Sequence, residues 1–121
     1  MRPGAHVLIV DDDPDHIKLC RIVLGDAGYQ ITSAGDAETA LGMIEAQCPD
    51  VILSDLDLPA MSGFELARKL KADARFRAVP MIAISATYGV KSYALRFGFI
   101  ACLAKPLAYD TLADQLGAIL A

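Results

Sequence analysis

Long apolar runs are missing from this 121-residue chain, none approaching the ~20 residues that a membrane-spanning helix requires. The amino terminus, MRPGAHVLIVDDD, has a short apolar stretch that runs straight into acidic residues, which excludes a secretory signal peptide. Cysteine is sparse. Cys20, Cys48 and Cys102 are odd in number, widely spaced and set in apolar surroundings, so neither a disulfide framework nor zinc-ligand spacing is present. Basic residues are also in the minority: 11 Lys and Arg stand against 15 Asp and Glu, for a formal net charge of -4. That balance excludes a nucleic-acid backbone as the main partner. The local exception, Arg68, Lys69, Lys71, Arg75 and Arg77, reads as a solvated helix face, with a docking patch as the alternative. A soluble cytoplasmic protein is expected.

With 55% hydrophobic and 21% charged residues, the composition is that of a folding chain, and the length suits one domain over residues 1–121. Five short apolar runs recur: HVLIV from His6, YQITSA from Tyr29, VILS from Val51, MIAIS from Met81 and IACLA from Ile100. Four of them lack polar alternation, as strands do when helices cover both sides of a parallel sheet. Helical segments separate the runs. The first has Asp13 as cap, Pro14 at its first position and Gly28 as its stop, with Ile17, Cys20, Ile22, Val23, Leu24 and Ala27 inward. The second spans about Ala37 to Ala46, the third follows Gly63, and the fourth covers Tyr88 to Phe97. The fifth follows Pro106, with Leu112, Leu116 and Leu120 four residues apart.

Strict alternation of strand and helix predicts a doubly wound α/β fold: a five-stranded parallel sheet, order 2-1-3-4-5, with helices on both faces. In that order the first and third strands are neighbours, and ligands bind beyond their carboxyl ends. The first strand ends at Asp11 and Asp12, and the third at Asp55. Converging carboxylates repel one another unless a cation is held between them, and Mg²⁺ favours a few carboxylate oxygens with water and phosphate oxygens. Asp11 and Asp12 are therefore metal-ligand candidates, whereas Asp13 and Asp15 are read as helix-end residues; Asp12 joins them if the strand stops one residue earlier. Ser85 and Lys105 close the fourth and fifth strands. Each alone is an ordinary turn former or surface charge. Together, a carboxylate nucleophile, a metal, a hydroxyl and an ammonium form a phosphoryl-transfer set.

VLIVDDDPD, VILSDLDLPAMSGFEL, VPMIAISA and LAKPL, in this order and spacing, resemble the receiver domain of two-component response regulators, the chemotaxis type among them. The resemblance covers nearly the whole chain. It implies Asp55 as phosphoacceptor, Asp11 and Asp12 as the acidic pair, and the Asp57 backbone carbonyl as a further ligand of Mg²⁺, with Mn²⁺ as a substitute. It also implies Ser85 and Lys105 as partners of phosphoryl oxygens, a cis Lys105–Pro106 bond, and a loop through Pro59 in which Gly63 permits a sharp turn. The implied partners are a histidine kinase or histidine phosphotransfer protein and a downstream protein target. The chain would be a monomer or weak dimer that catalyses only its own phosphorylation and dephosphorylation.

Two departures fall on the face that usually transmits the signal. Cys102 stands where the family has Tyr or Phe, and the segment from Ser85 to Lys105 is about two residues short, with Gly89 where the fourth helix should begin. The usual coupling of hydroxyl to aromatic should therefore be weak, with Tyr88, Tyr93 or Phe99 as replacements. Three alternatives accompany this reading: the receiver segment of a hybrid histidine kinase, a receiver-shaped module without phosphorylation, and a haloacid dehalogenase-like phosphatase. The last is suggested by Asp55 and Asp57 in an Asp-x-Asp motif, but Pro59 replaces the Thr or Val expected there. A flavodoxin is disfavoured because no Ser/Thr/Gly-rich phosphate loop follows the first strand.

Overall fold

Apolar runs and amphipathic segments alternate along the chain, and the computed structural model, which describes residues 4–87 and 89–121, shows ten elements in strict succession. These are β1 (His6–Val10), α1 (Pro14–Asp26), β2 (Gln30–Ala34), α2 (Ala37–Ala46), β3 (Val51–Asp55), α3 (Gly63–Lys71), β4 (Met81–Ser85), α4 (Lys91–Arg96), β5 (Ala101–Ala104) and α5 (Leu112–Leu120). All strands pair in parallel, in the order β2-β1-β3-β4-β5. This is the expected doubly wound α/β sheet.

Successive side chains of a strand point to opposite faces, so the sheet supports two separate apolar cores. On one face, Leu8, Val10, Ile52 and Ala83 pack against Ala40 and Ile44 of α2 and Leu66 and Leu70 of α3. On the other, Val7, Ile9, Leu53 and Ile84 pack against Cys20 and Leu24 of α1 and Leu112 and Leu116 of α5. β1, β3 and β4 are buried throughout. β5 is only half-buried, contrary to the doubly buried strand its apolar sequence suggests, because it lies at the sheet edge.

Helix starts follow the sequence closely. Asp13 caps α1 by accepting the Asp15 N–H at 3.0 Å, Asp36 caps α2 through the Thr39 N–H, and Ser62 caps α3 through the Glu65 N–H. Gly28, at φ +97°, takes the left-handed conformation that ends α1.

Some details differ from expectation. Ile22 is 50% exposed and Ala27 lies beyond the last turn of α1, while His16 takes a place in the buried stripe with Cys20 and Leu24. α4 is only six residues long and has no side-chain cap, since Gly89 at φ +80° breaks the helical path before it; Tyr88 lies outside the described residues. The basic cluster is not one solvated face either. Lys71 folds back to donate to the Arg77 and Val79 carbonyls, and Arg75 pairs with Asp73 and Glu45 beyond the end of α3.

Candidate phosphoryl-transfer site

The parallel register brings the carboxyl ends of β1, β3, β4 and β5 together. Val10 pairs with Ser54, Asp55 with Ile84, and Ser85 with Ala104, so Asp11, Asp55, Ser85 and Lys105 all emerge at the same edge. One carboxylate oxygen each from Asp11, Asp12 and Asp55 lies within 4.8 Å of the others. Asp11 is fully buried and Asp55 nearly so, whereas Asp12 opens to solvent. Such a set of hard oxygen donors suits a divalent cation of the Mg²⁺ class.

Lys105 brings a positive charge of the protein's own to this edge. Its Nζ lies 2.7 Å from Asp55 Oδ2 and 3.6 Å from Asp11 Oδ2. Burial works to lower the Lys105 pKa, but the hydrogen bond to Asp55 and the two carboxylate charges outweigh it and raise it. The Lys105–Pro106 peptide is cis, as the family resemblance implied. Asp55 Oδ1 accepts the Asp57 N–H at 3.0 Å, which ties the loop to the acidic cluster. The Asp57 side chain is exposed and is not among the oxygens that gather there, so the Asp-x-Asp spacing does not form the paired carboxylates of a haloacid dehalogenase site. Ser85 Oγ accepts the Thr87 N–H at 3.0 Å, leaving its own hydroxyl hydrogen free to donate.

Gly63 acts differently from the expected sharp turn. Its φ is not positive; a Cβ there would come within 2.9 Å of Leu56 Cα and closer still to the Asp55 carbonyl oxygen. The residue is needed for close approach, so that α3 starts directly against the end of β3.

One residue of the site escaped sequence reasoning. His16 is 6% exposed, and its Nδ1 contacts Asp11 Oδ2. Its Nε2 lies 3.7 Å from Cys20 Sγ, and its ring leans against Tyr109 at 5.8 Å between centroids. The hydrogen bond to Asp11 raises the His16 pKa to about 9, aided by Cys20 and opposed by burial. Burial works to raise the Asp11 pKa in return, but the bonds from His16 and the Asp13 N–H, with the charges of His16 and Lys105, lower it. The available signal was the four-residue spacing of His16, Cys20 and Leu24, which places the histidine on the inner face of α1.

Cys102 is half-buried at the edge of the core that contains α3 and α4, and burial raises its thiol pKa. The aromatic rings lie elsewhere. Phe64 of α3 meets Tyr93 of α4 edge-on at 5.3 Å and leans at 4.9 Å on Phe97, the residue that closes α4, with buried Phe99 at 6.4 Å.

This fold, with this acidic edge, defines a class that comparison with known proteins identifies. The response regulator receiver domain matches residues 7–117, and the chain belongs to that family. Protein PilH of Pseudomonas aeruginosa is 31% identical over 119 residues, covering 97% of this chain and 98% of PilH. Sensor histidine kinase RcsC of Salmonella typhimurium is 32% identical over 110 residues, covering 91% of this chain but 12% of the kinase. The chain spans 19% or less of the length of several curated relatives that it matches. Among solved structures, the chemotaxis response regulator CheY4 of Vibrio cholerae superposes with a TM-score of 0.90 at 29% identity, covering 96% of this chain and 98% of that one. The chain is thus a receiver domain of two-component systems. Among the described residues no helix is long and apolar enough to cross a membrane.

Proposed function

We propose that residues 1–121 form one cytoplasmic domain that accepts a phosphoryl group on Asp55 from a histidine kinase or histidine phosphotransfer protein. A carboxylate oxygen of Asp55 attacks phosphorus, the P–N bond of the phosphohistidine breaks, and its electron pair stays on the departing imidazole, which takes a proton. Lys105 neutralises charge on one phosphoryl oxygen and Ser85 donates its free hydroxyl hydrogen to another. A Mg²⁺ ion held by Asp11, Asp12, Asp55 and the Asp57 carbonyl would supply further positive charge to the transferring oxygens. Hydrolysis of the acyl phosphate resets the domain, and the output is a protein–protein contact made by a monomer or weak dimer.

The observation that carries this reading is the convergence of the Asp11, Asp12 and Asp55 oxygens within 4.8 Å, with Lys105 Nζ 2.7 Å from Asp55. Incubation with acetyl phosphate and Mg²⁺, followed by intact mass measurement, should show one acid-labile phosphoryl group on the parent and none on Asp55→Asn. Equal labelling of both proteins would overturn the assignment. The match to RcsC supports a second reading, in which the same chemistry serves as the receiver segment of a larger hybrid kinase.

A further inference from the structure

Asp11 is fully buried; one of its oxygens accepts a backbone hydrogen bond and the other is in ion-pair contact with an imidazole. Oδ1 accepts the Asp13 N–H at 2.9 Å, and Oδ2 meets His16 Nδ1. Among the described residues, neither Asp11 Oδ2 nor His16 Nδ1 has any other hydrogen-bonding partner. The next donor in reach of Oδ2 is Lys105 Nζ at 3.6 Å, which is engaged at 2.7 Å with Asp55. The imidazole itself is held on two further sides, by Cys20 Sγ at Nε2 and by the Tyr109 ring. It is fixed in place between α1 and the segment that precedes α5.

A buried carboxylate oxygen without a donor is costly, and it recruits the nearest one. If His16 did not occupy Asp11 Oδ2, that donor would be Lys105, and the ammonium would shift toward β1 and away from Asp55. We propose that His16 is a positioning residue for the phosphoryl-transfer reaction: by holding Asp11 Oδ2 it leaves Lys105 to Asp55. The proposal rests on the phosphoacceptor reading above. It does not depend on the charge of His16, because Nδ1–H donates in the neutral tautomer as well as in the imidazolium. A merely space-filling histidine would tolerate any apolar residue of similar volume, which separates the two roles.

Three substitutions test this. His16→Leu fills the space without a donor, His16→Asn places an amide N–H where Nδ1 stood, and His16→Gln places one nearer Nε2. Crystal structures of the metal-free proteins should show Lys105 Nζ drawn to Asp11 in the Leu and Gln variants and kept on Asp55 in Asn. At saturating Mg²⁺, labelling by acetyl phosphate should slow about tenfold in His16→Leu, as when a carboxylate's supporting partner is lost, and recover in His16→Asn. Lys105 on Asp55 in all three variants, or an Asn variant as slow as Leu, would overturn the proposal. Should His16→Leu fail to fold, the Asn and Gln pair decides by the same Lys105 distances. A parent that takes no label would remove the phosphoacceptor reading instead, while the position of Lys105 still decides whether His16 directs it.

Discussion

Gly63 and Leu56 meet backbone to backbone: the Gly63 N–H donates to the Leu56 carbonyl at 3.0 Å, and a Cβ on Gly63 would stand 2.9 Å from Leu56 Cα. The contact seats the first turn of α3 against the end of β3, one residue from Asp55. Because both sides are backbone, neither can rotate away. Gly63→Ala should therefore cost about 2 kcal/mol by overpacking, read as a lower urea midpoint, and should also slow labelling of Asp55 by displacing it. An alanine variant as stable as the parent would show that the loop yields more easily than this geometry implies.

Asp12 and Asp13 are neighbours with opposite expected effects. Asp12 faces the other two carboxylates and has solvent on its open side, so Asp12→Ala should raise metal-free stability by removing repulsion, yet abolish stabilisation by Mg²⁺. Asp13 accepts the Asp15 N–H as the cap of α1, so Asp13→Ala should cost about 1 kcal/mol and keep the response to Mg²⁺. Thermal melts in EDTA and in Mg²⁺ separate the two, and the prediction fails if both variants respond alike.

The pair formed by His16 and Asp11 gives metal-free stability a specific pH profile. The His16 pKa is raised from its ordinary 6.5 to about 9, so its contribution is complete below pH 6.5 and is lost as pH rises through about 9. The Asp11 pKa is lowered from 3.8, so its contribution is present above that value and disappears as acid brings it through the lower folded value. In EDTA the urea midpoint should decline across the alkaline window in the parent and stay flatter in His16→Leu. A decline of equal steepness in both would place the titrating group elsewhere.

α4 has six residues and no side-chain cap, too little to stand without packing, and Phe64 supplies it through Tyr93 and Phe97. Phe64→Ala should speed amide exchange across Lys91–Arg96 by at least about tenfold while leaving β1 and β3 protected, as expected of a locally opening unit. Phe64 sits in the first turn of the helix that abuts Asp55, so a response of α4 to the site, if one occurs, is expected to depend on this ring. Hydrogen exchange with and without beryllofluoride, in parent and variant, would show whether any response of α4 passes through it.

The strand order and the acidic edge were legible in the sequence because they rest on local rules: apolar runs flanked by turns, Asp13 placed to cap, and Gly28 placed to stop. Parallel alternation then leaves few topologies, and these bring Asp11, Asp12, Asp55 and Lys105 together at one end. What the tertiary structure alone decided was which side of each element faces inward. Ile22 is more apolar than His16, yet it lies two residues from both Cys20 and Leu24, on the far side of α1 from the sheet, and is exposed. His16 is buried because Asp11, in the loop between β1 and α1, supplies the partner that its ring nitrogen requires. Likewise β5 reads as fully apolar but is half-buried, since its place at the sheet edge depends on the order of all five strands and not on its own residues. Composition sets what a segment can bury; only the neighbours it meets in the fold set what it does bury.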